Sequence, residues 1–167
     1  MIVSPTAAWA EACAAVGWRV FPVEAGQKTP PAGFHWLDWA STDAATIRRW
    51  FPDDRKNIAV VTGEGFDAFD IEAAHLSAFL HWTEINRYLM PTTPVALTGR
   101  GGWHVLVAPT GRRTTKLVLD GVHIGELKAK GGYILVSPSR TVSQYCWLLA
   151  PAGMRPARRP PTGCSAS

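Results

Sequence analysis

Asp70-Ile71-Glu72 sets two carboxylates one residue apart at the close of the run Phe66 to Glu72. In an extended strand, residues i and i+2 share a face and lie about 6.6 Å apart along the chain. Phe69 and Ile71 then point the other way, toward a core. Two acids on one face at a strand end suit a hard divalent cation, which takes oxygen ligands and, for Mg²⁺, keeps several waters. Such cations commonly serve phosphate chemistry. The plainer reading of an isolated acid-x-acid triplet is that one acid caps the following helix and the other is solvated, since short motifs recur by chance.

His104 is the next residue able to do chemistry. It follows Gly99-Arg100-Gly101-Gly102, and a glycine-rich turn lets backbone N–H groups approach an anion closely. Arg100 adds a planar fork of donors suited to phosphate oxygens. His104 shares a strand face with Leu106, opposite Trp103, Val105 and Val107; a lone strand histidine is also often structural. Glu126 is a third acid, on a strand where Ile124, Glu126 and Lys128 alternate with His123, Gly125 and Leu127. An acid in mid-strand is costly to bury without a partner, although an edge-strand acid paired with Lys128 would face solvent instead.

These residues need elements to hold them. Ser4-Pro5 reads as N-cap and first helical residue, with Trp9, Ala12, Cys13 and Val16 at helical spacing and Gly17 ending the helix. Trp18 to Val23 reads as a strand, residues 26–33 as a loop carrying Lys28, and Ser41-Thr42-Asp43 as the start of a short helix whose Ile47, Trp50 and Phe51 face inward before Pro52. Asn57 to Thr62 and Phe66 to Glu72 read as strands joined by a hairpin-like turn at Gly63-Glu64-Gly65, followed by a helix from Ala73 to Met90. Pro94 to Thr98 with Trp103 to Ala108, and Val122 to Lys128 with Tyr133 to Val136, read as two further strand pairs. Together they predict an α/β sandwich with a largely antiparallel sheet.

Composition bounds the rest. The chain has 167 residues, 47% hydrophobic and 18% charged, which is globular rather than disordered composition and long enough for one domain with a proper core. We expect the folded domain over 1–150 and a Pro/Arg-rich disordered tail or linker over 151–167. No apolar run approaches a membrane span and no signal-like segment opens the chain, so a cytoplasmic protein without membrane attachment is expected. Cys13, Cys146 and Cys164 are scattered with no C-x-x-C spacing, neither a disulfide framework nor a zinc knuckle. The net charge is +4, of which Arg155, Arg158 and Arg159 contribute three, while residues 97–140 hold seven basic residues against two acids. That excess of +5 suits a polyanionic partner, although surface lysines and arginines are also commonly solubilising.

The motifs become specific in their order: an acid-x-acid strand end, then T-G-R-G-G-W-H (98–104), then an acid before G-G-Y-I-L-V-S-P-S (131–139). With G-W-R-V-F-P-V (17–23), Q-K-T-P-P (27–31), W-A-S-T-D (39–43), N-I-A-V-V-T-G (57–63) and Q-Y-C-W (144–147), the chain resembles the bifunctional DNA primase–polymerase family of the archaeo-eukaryotic primase superfamily. The resemblance implies an α/β (α+β) primase-polymerase fold: a mostly antiparallel, RRM-like central sheet flanked by helices. It implies template-dependent nucleotidyl transfer in DNA replication, as DNA primase or DNA polymerase, with two Mg²⁺ or Mn²⁺ ions and no zinc. Asp70, Glu72 and Glu126 match the metal-binding acids, and His104 matches the histidine that contacts the incoming triphosphate. Lys28, Arg100, Gly101 and Gly102 match basic and glycine positions near the site, and Ser139 matches the serine closing the family's P-P-S element. Arg112, Arg113, Lys116, Lys128, Lys130 and Arg140 would hold the single-stranded DNA template.

The chain departs from the family pattern in three places. Glu126 stands where aspartate is common, Ser137-Pro138-Ser139 stands for P-P-S, and Ala73-Ala74-His75-Leu76 replaces a Pro/Gly stretch. Nucleoside or deoxynucleoside triphosphates are the implied substrates, a helicase or accessory region in cis or trans the implied partner, and a plasmid or phage the implied setting. A two-metal nuclease or phosphoesterase, or a non-catalytic single-strand-binding module of the same fold, would use many of the same residues. The polymerase reading makes one demand on the fold: Glu126 must converge on Asp70 and Glu72.

Overall fold

Local signals start the helices where the residues place them. A computed structural model of the chain describes residues 3–88 and 92–154. Helix α1 spans Pro5–Ala15; the Ser4 hydroxyl accepts from the Ala7 amide at 3.0 Å and donates to the Phe51 carbonyl at 2.9 Å. Pro5 in the first turn forfeits no helical hydrogen bond. Trp9, Ala12 and Cys13 are buried, and burial pushes the Cys13 thiol up to about 12, which keeps it protonated and inert. Helix α2 is one turn, Trp36–Trp39, too short to show a period in the sequence. Helix α3, Ala44–Trp50, is capped by Asp43, whose Oδ2 accepts from the Thr46 amide at 2.7 Å.

Nine strands lie among the described residues: β1 Val20–Val23, β2 Asn57–Val61, β3 Asp67–Ile71, β4 Val95–Leu97, β5 Trp103–Val107, β6 Thr115–Leu119, β7 Val122–Lys128, β8 Tyr133–Val136 and β9 Cys146–Leu149. Their ladders are all antiparallel, in a small sheet ordered β1-β2-β8 and a large one ordered β6-β7-β3-β5-β4-β9. The fold is therefore α+β with antiparallel sheets. The helix expected from Ala73 opens as a 3-10 turn over Ala73–His75 and continues as α4, Leu76–Ile85; residues 89–91 at its expected end lie outside the described residues.

Two of the three expected strand pairs do not form. β2 pairs with β1 and β8, whereas β3 pairs with β5 and β7; Gly63-Glu64-Gly65 carries the chain from one sheet to the other. β7 and β8 likewise belong to different sheets. The turn residues mark a reversal in both places, but burial on both sides decides which sheet each strand joins: every residue of β2 is buried. The two crossings are tied together, with the Thr62 amide donating to the Gly132 carbonyl at 3.0 Å and its hydroxyl to the Ala129 carbonyl at 2.7 Å. The tight hairpin is β6–β7, around Asp120-Gly121 with φ of 49° and 79°, the left-handed pair a two-residue primed turn requires. The expected β4–β5 pair is present.

The layers explain which face of β3 is free for chemistry. α1 and α3 pack against Val20, Ile58, Val60 and Ile134 of the small sheet, and that core extends to Ala68 and Leu106 of the large one. α4 covers the other face of the large sheet, with Phe79 against Phe69, Ile71, Val105 and Leu127. Asp70 thus lies on the face turned toward the small sheet. Met154 is 2% exposed and packs into the α1 core, four residues past the expected domain end at 150. Residues 155–167, with Arg155, Arg158 and Arg159, lie outside the described residues. Among the described residues no helix is long and apolar enough to cross a membrane.

Candidate functional site

Strand β3 occupies the middle of the large sheet, and its register places Glu126 beside Asp70. Asp70 is the Cα partner of His104 on β5 and of Glu126 on β7. Residues directly opposite on antiparallel neighbours share a face, with Cβ atoms about 4.5–5.5 Å apart. Glu126, Asp70 and His104 therefore form one row across three strands, and Lys116 of β6, opposite Glu126, extends it. β7 is an interior strand rather than an edge.

Asp70, at the centre of the row, faces two adjoining cavities. One, of about 250 Å³, lies between the sheets and is lined by Asp70, His104, Lys128, Lys28, Tyr133 and Tyr145 among others. The second, of about 370 Å³, is lined by Asp70, Glu72, Lys28, Arg100 and Gly102. Asp70 and Lys28 line both. His104 is buried, with Nε2 3.4 Å from Asp70 Oδ1, its ring centroid 5.8 Å from that of Tyr145, and a buried Nδ1 that has no hydrogen-bond partner among the described residues. Burial raises the Asp70 carboxyl, but the hydrogen bond and charge of His104, together with Lys128 and Lys28, outweigh it and hold Asp70 below the usual aspartate range. It is an anion at neutral pH. Glu72 is exposed at the strand end and makes no side-chain capping bond to the following turn, so the plainer capping role is not the one it takes.

Two glycines set the spacing. Gly102 lies against the end of β3, where an added Cβ would sit 2.3 Å from the Ile71 carbonyl oxygen; only glycine lets this turn carry Arg100 so close to Glu72. Gly125 lies against Asp70 itself, with φ of 153° and an ideal Cβ position 2.0 Å from the Asp70 carbonyl oxygen. The β6–β7 ladder shifts register here, between Leu117 and Val118. The shift corrects the simple alternation expected for this strand: Ile124 turns to the α4 side with Phe69 and Leu127, while Glu126 keeps the Asp70 side.

The donors fit a hard cation in kind: Asp70 and Glu72 line one cavity, and Glu126 is the register partner of Asp70. As placed they do not close on a single point: among the described residues, no three His, Cys, Asp or Glu side chains gather within reach of one ion. Glu126 is paired with Lys128 instead.

The template-binding candidates fall into three places, of which Lys128 occupies the cleft itself, paired with Glu126. Arg112, Arg113, Lys116 and Lys130 are exposed, and the Lys130 amide donates to the Arg112 carbonyl at 3.1 Å, so a basic rim runs beside the cleft-lining Thr114 and Gly131. Arg140 is not on this rim; it lines a separate cavity of about 340 Å³ with Arg55 and Lys56. Ser139 lines neither Asp70 cavity. Its buried hydroxyl accepts from the Ile58 amide at 2.8 Å and donates to the Ile58 carbonyl at 3.2 Å, a clip between the loop after β8 and strand β2. We expect Ser139→Ala to lower stability by about 1–3 kcal/mol, the cost of leaving buried polar groups unpaired, and to leave the nucleotide KM within about twofold. Thermal unfolding beside nucleotide titration checks both.

Sequence reasoning missed Asp67, which is fully buried with Oδ2 accepting from the Thr110 amide at 2.7 Å and the Thr110 hydroxyl at 2.6 Å. That bond anchors the loop bearing Arg112 and Arg113, and no local signal marks a partner 43 residues away. Tyr133 and Tyr145, the aromatic lining of the cleft, were visible only as parts of motifs.

A comparison with curated proteins gave no match. The family model described as bifunctional DNA primase/polymerase, N-terminal, matches residues 10–163, a span that holds the whole Glu126–Asp70–His104 row and both cavities. Nearly the full length of the chain is covered, and the chain belongs to the bifunctional DNA primase/polymerase N-terminal family.

Proposed function

We propose that this chain catalyses template-dependent nucleotidyl transfer in DNA replication, joining a nucleoside triphosphate to a 3′-hydroxyl with Mg²⁺ or Mn²⁺ held by Asp70, Glu72 and Glu126. The observation that carries the reading is the in-register row Glu126–Asp70–His104 on three adjacent strands, centred on Asp70, which lines both cavities. Asp70, Glu72 and Glu126 would hold the cations, whose chemistry there would be to acidify the attacking hydroxyl and offset charge on the triphosphate. The residues of the chain do the rest. In the reaction the 3′-oxygen bonds to the α-phosphorus and the bond from that phosphorus to the pyrophosphate oxygen breaks. Lys28 and Arg100, exposed at the cavity walls, offset the charge on the phosphate oxygens, which is the main protein task in such transfers. His104, whose Nε2 lies 3.4 Å from Asp70 Oδ1, lines the same cleft as Lys28 and would contact the triphosphate there. Arg112, Arg113, Lys116 and Lys130 hold the template backbone without reading sequence.

The test is incubation with a single-stranded template, labelled triphosphates and Mn²⁺, with and without primer. Incorporation is expected with the metal and is expected to disappear with chelator, and Glu126→Gln should lower it by at least about 10²-fold. Shortening of a labelled primer instead of its growth would replace this reading with a nuclease. Metal-indifferent single-strand binding without incorporation would reduce the chain to a binding module.

A further inference from the structure

Lys128 lies two residues beyond Glu126 on β7 and on the same face, and its Nζ is paired with Glu126 Oε2. It lines the cleft together with Asp70 and His104. Both partners are half-buried, with side chains 23% and 39% exposed. Asp70 and Glu126 are direct register partners, so two carboxylates stand side by side in a partly enclosed site. Like charges this close repel strongly when water is scarce. An ammonium group on the same wall offsets that repulsion, and it is the partner Glu126 takes in this structure.

We propose that Lys128 is a built-in stand-in for the catalytic cation. Resting on the reading that Asp70 and Glu126 ligate a divalent ion, Lys128 holds Glu126 until that ion arrives and is then displaced from it. The freed ammonium lies in the cleft that takes the triphosphate, where phosphate oxygens replace the lost carboxylate. Cation and nucleotide then favour one another's binding: the cation releases Lys128, and the nucleotide gives it a new partner. The resting site stays neutralised without a bound metal.

Mn²⁺ binding to the full chain without nucleotide, read as loss of the free-ion electron paramagnetic resonance signal, tests this apart from activity. Lys128→Met and Lys128→Gln are expected to bind Mn²⁺ on the order of tenfold more tightly than wild type, because no ion pair has to break. Lys128→Arg, which keeps the charge and the pairing, should bind as wild type does. Lys116→Met, which removes a charge from the register row without touching the Glu126–Lys128 pair, should change affinity less than about twofold. Equal or weaker binding by both Lys128→Met and Lys128→Gln overturns the stand-in role. Asp70→Asn separates that failure from failure of the underlying reading: if it lowers Mn²⁺ affinity while the Lys128 variants match wild type, the site stands and the stand-in falls. Undiminished Mn²⁺ binding by Asp70→Asn overturns both.

Discussion

Asp70→Asn is expected to lower nucleotide incorporation on the order of 10³-fold while the protein stays folded. Asp70 sits between His104 and Glu126 and lines both cavities, so its carboxylate is the charge around which the row is arranged. Asparagine keeps the side-chain shape and an oxygen that still accepts from His104, which removes charge without removing volume. The half-exposed side chain carries little of the core, so the melting temperature should move by no more than a few degrees. Primer extension with Mn²⁺, alongside thermal unfolding, reads both quantities. Wild-type-like incorporation by Asp70→Asn would remove the acid row from the reaction.

Gly125→Ala should be as damaging through the backbone. An ideal Cβ there falls 2.0 Å from the Asp70 carbonyl oxygen and 3.1 Å from the Ile71 Cα. Neither atom is free to retreat, because Asp70 is hydrogen-bonded within a ladder flanked by β5 and β7. Overpacking of this kind costs about 1–3 kcal/mol, and a backbone conformation that disfavours side chains adds to it. A loss of about 3 kcal/mol corresponds to a melting temperature lower by about 6–12 °C for a chain of this size. Incorporation should fall too, since any parting of β7 from β3 carries Glu126 off Asp70. An unchanged melting temperature would mean that the two strands are not held this closely in solution.

The residues able to do chemistry were legible because type and order announce them: an acid pair, a Gly-rich turn with arginine and histidine, and a third acid before Gly131-Gly132. Local devices were legible too, such as the Ser4 cap and the Asp43 cap, because their partners lie within one turn. What stayed hidden was whatever depends on distant partners. Gly63-Glu64-Gly65 carries the signature of a hairpin, yet the burial of β2 on both faces sends the chain to another sheet. The register shift beside Gly125 turns Ile124 over, and nothing in the order Ile-Gly-Glu marks it. Ser139 matched a motif position, but its hydroxyl is spent on Ile58. The basic segment was read as one patch, whereas the fold separates Arg140 from Arg112, Arg113 and Lys130.

The row on β3 also sets when, during folding, the site comes into being. Asp70 meets His104 from 34 positions along the chain and Glu126 from 56, with the strand between them paired on both sides. No short stretch of the polypeptide contains a working fragment of the site, and contacts between distant segments are slow to close because chain entropy opposes them until the sheet itself is in place. A nascent chain therefore gains its acid row only after residue 128 has been made and β7 has docked. The acid row is a late, collective product of folding, and it is lost as a unit when the large sheet opens.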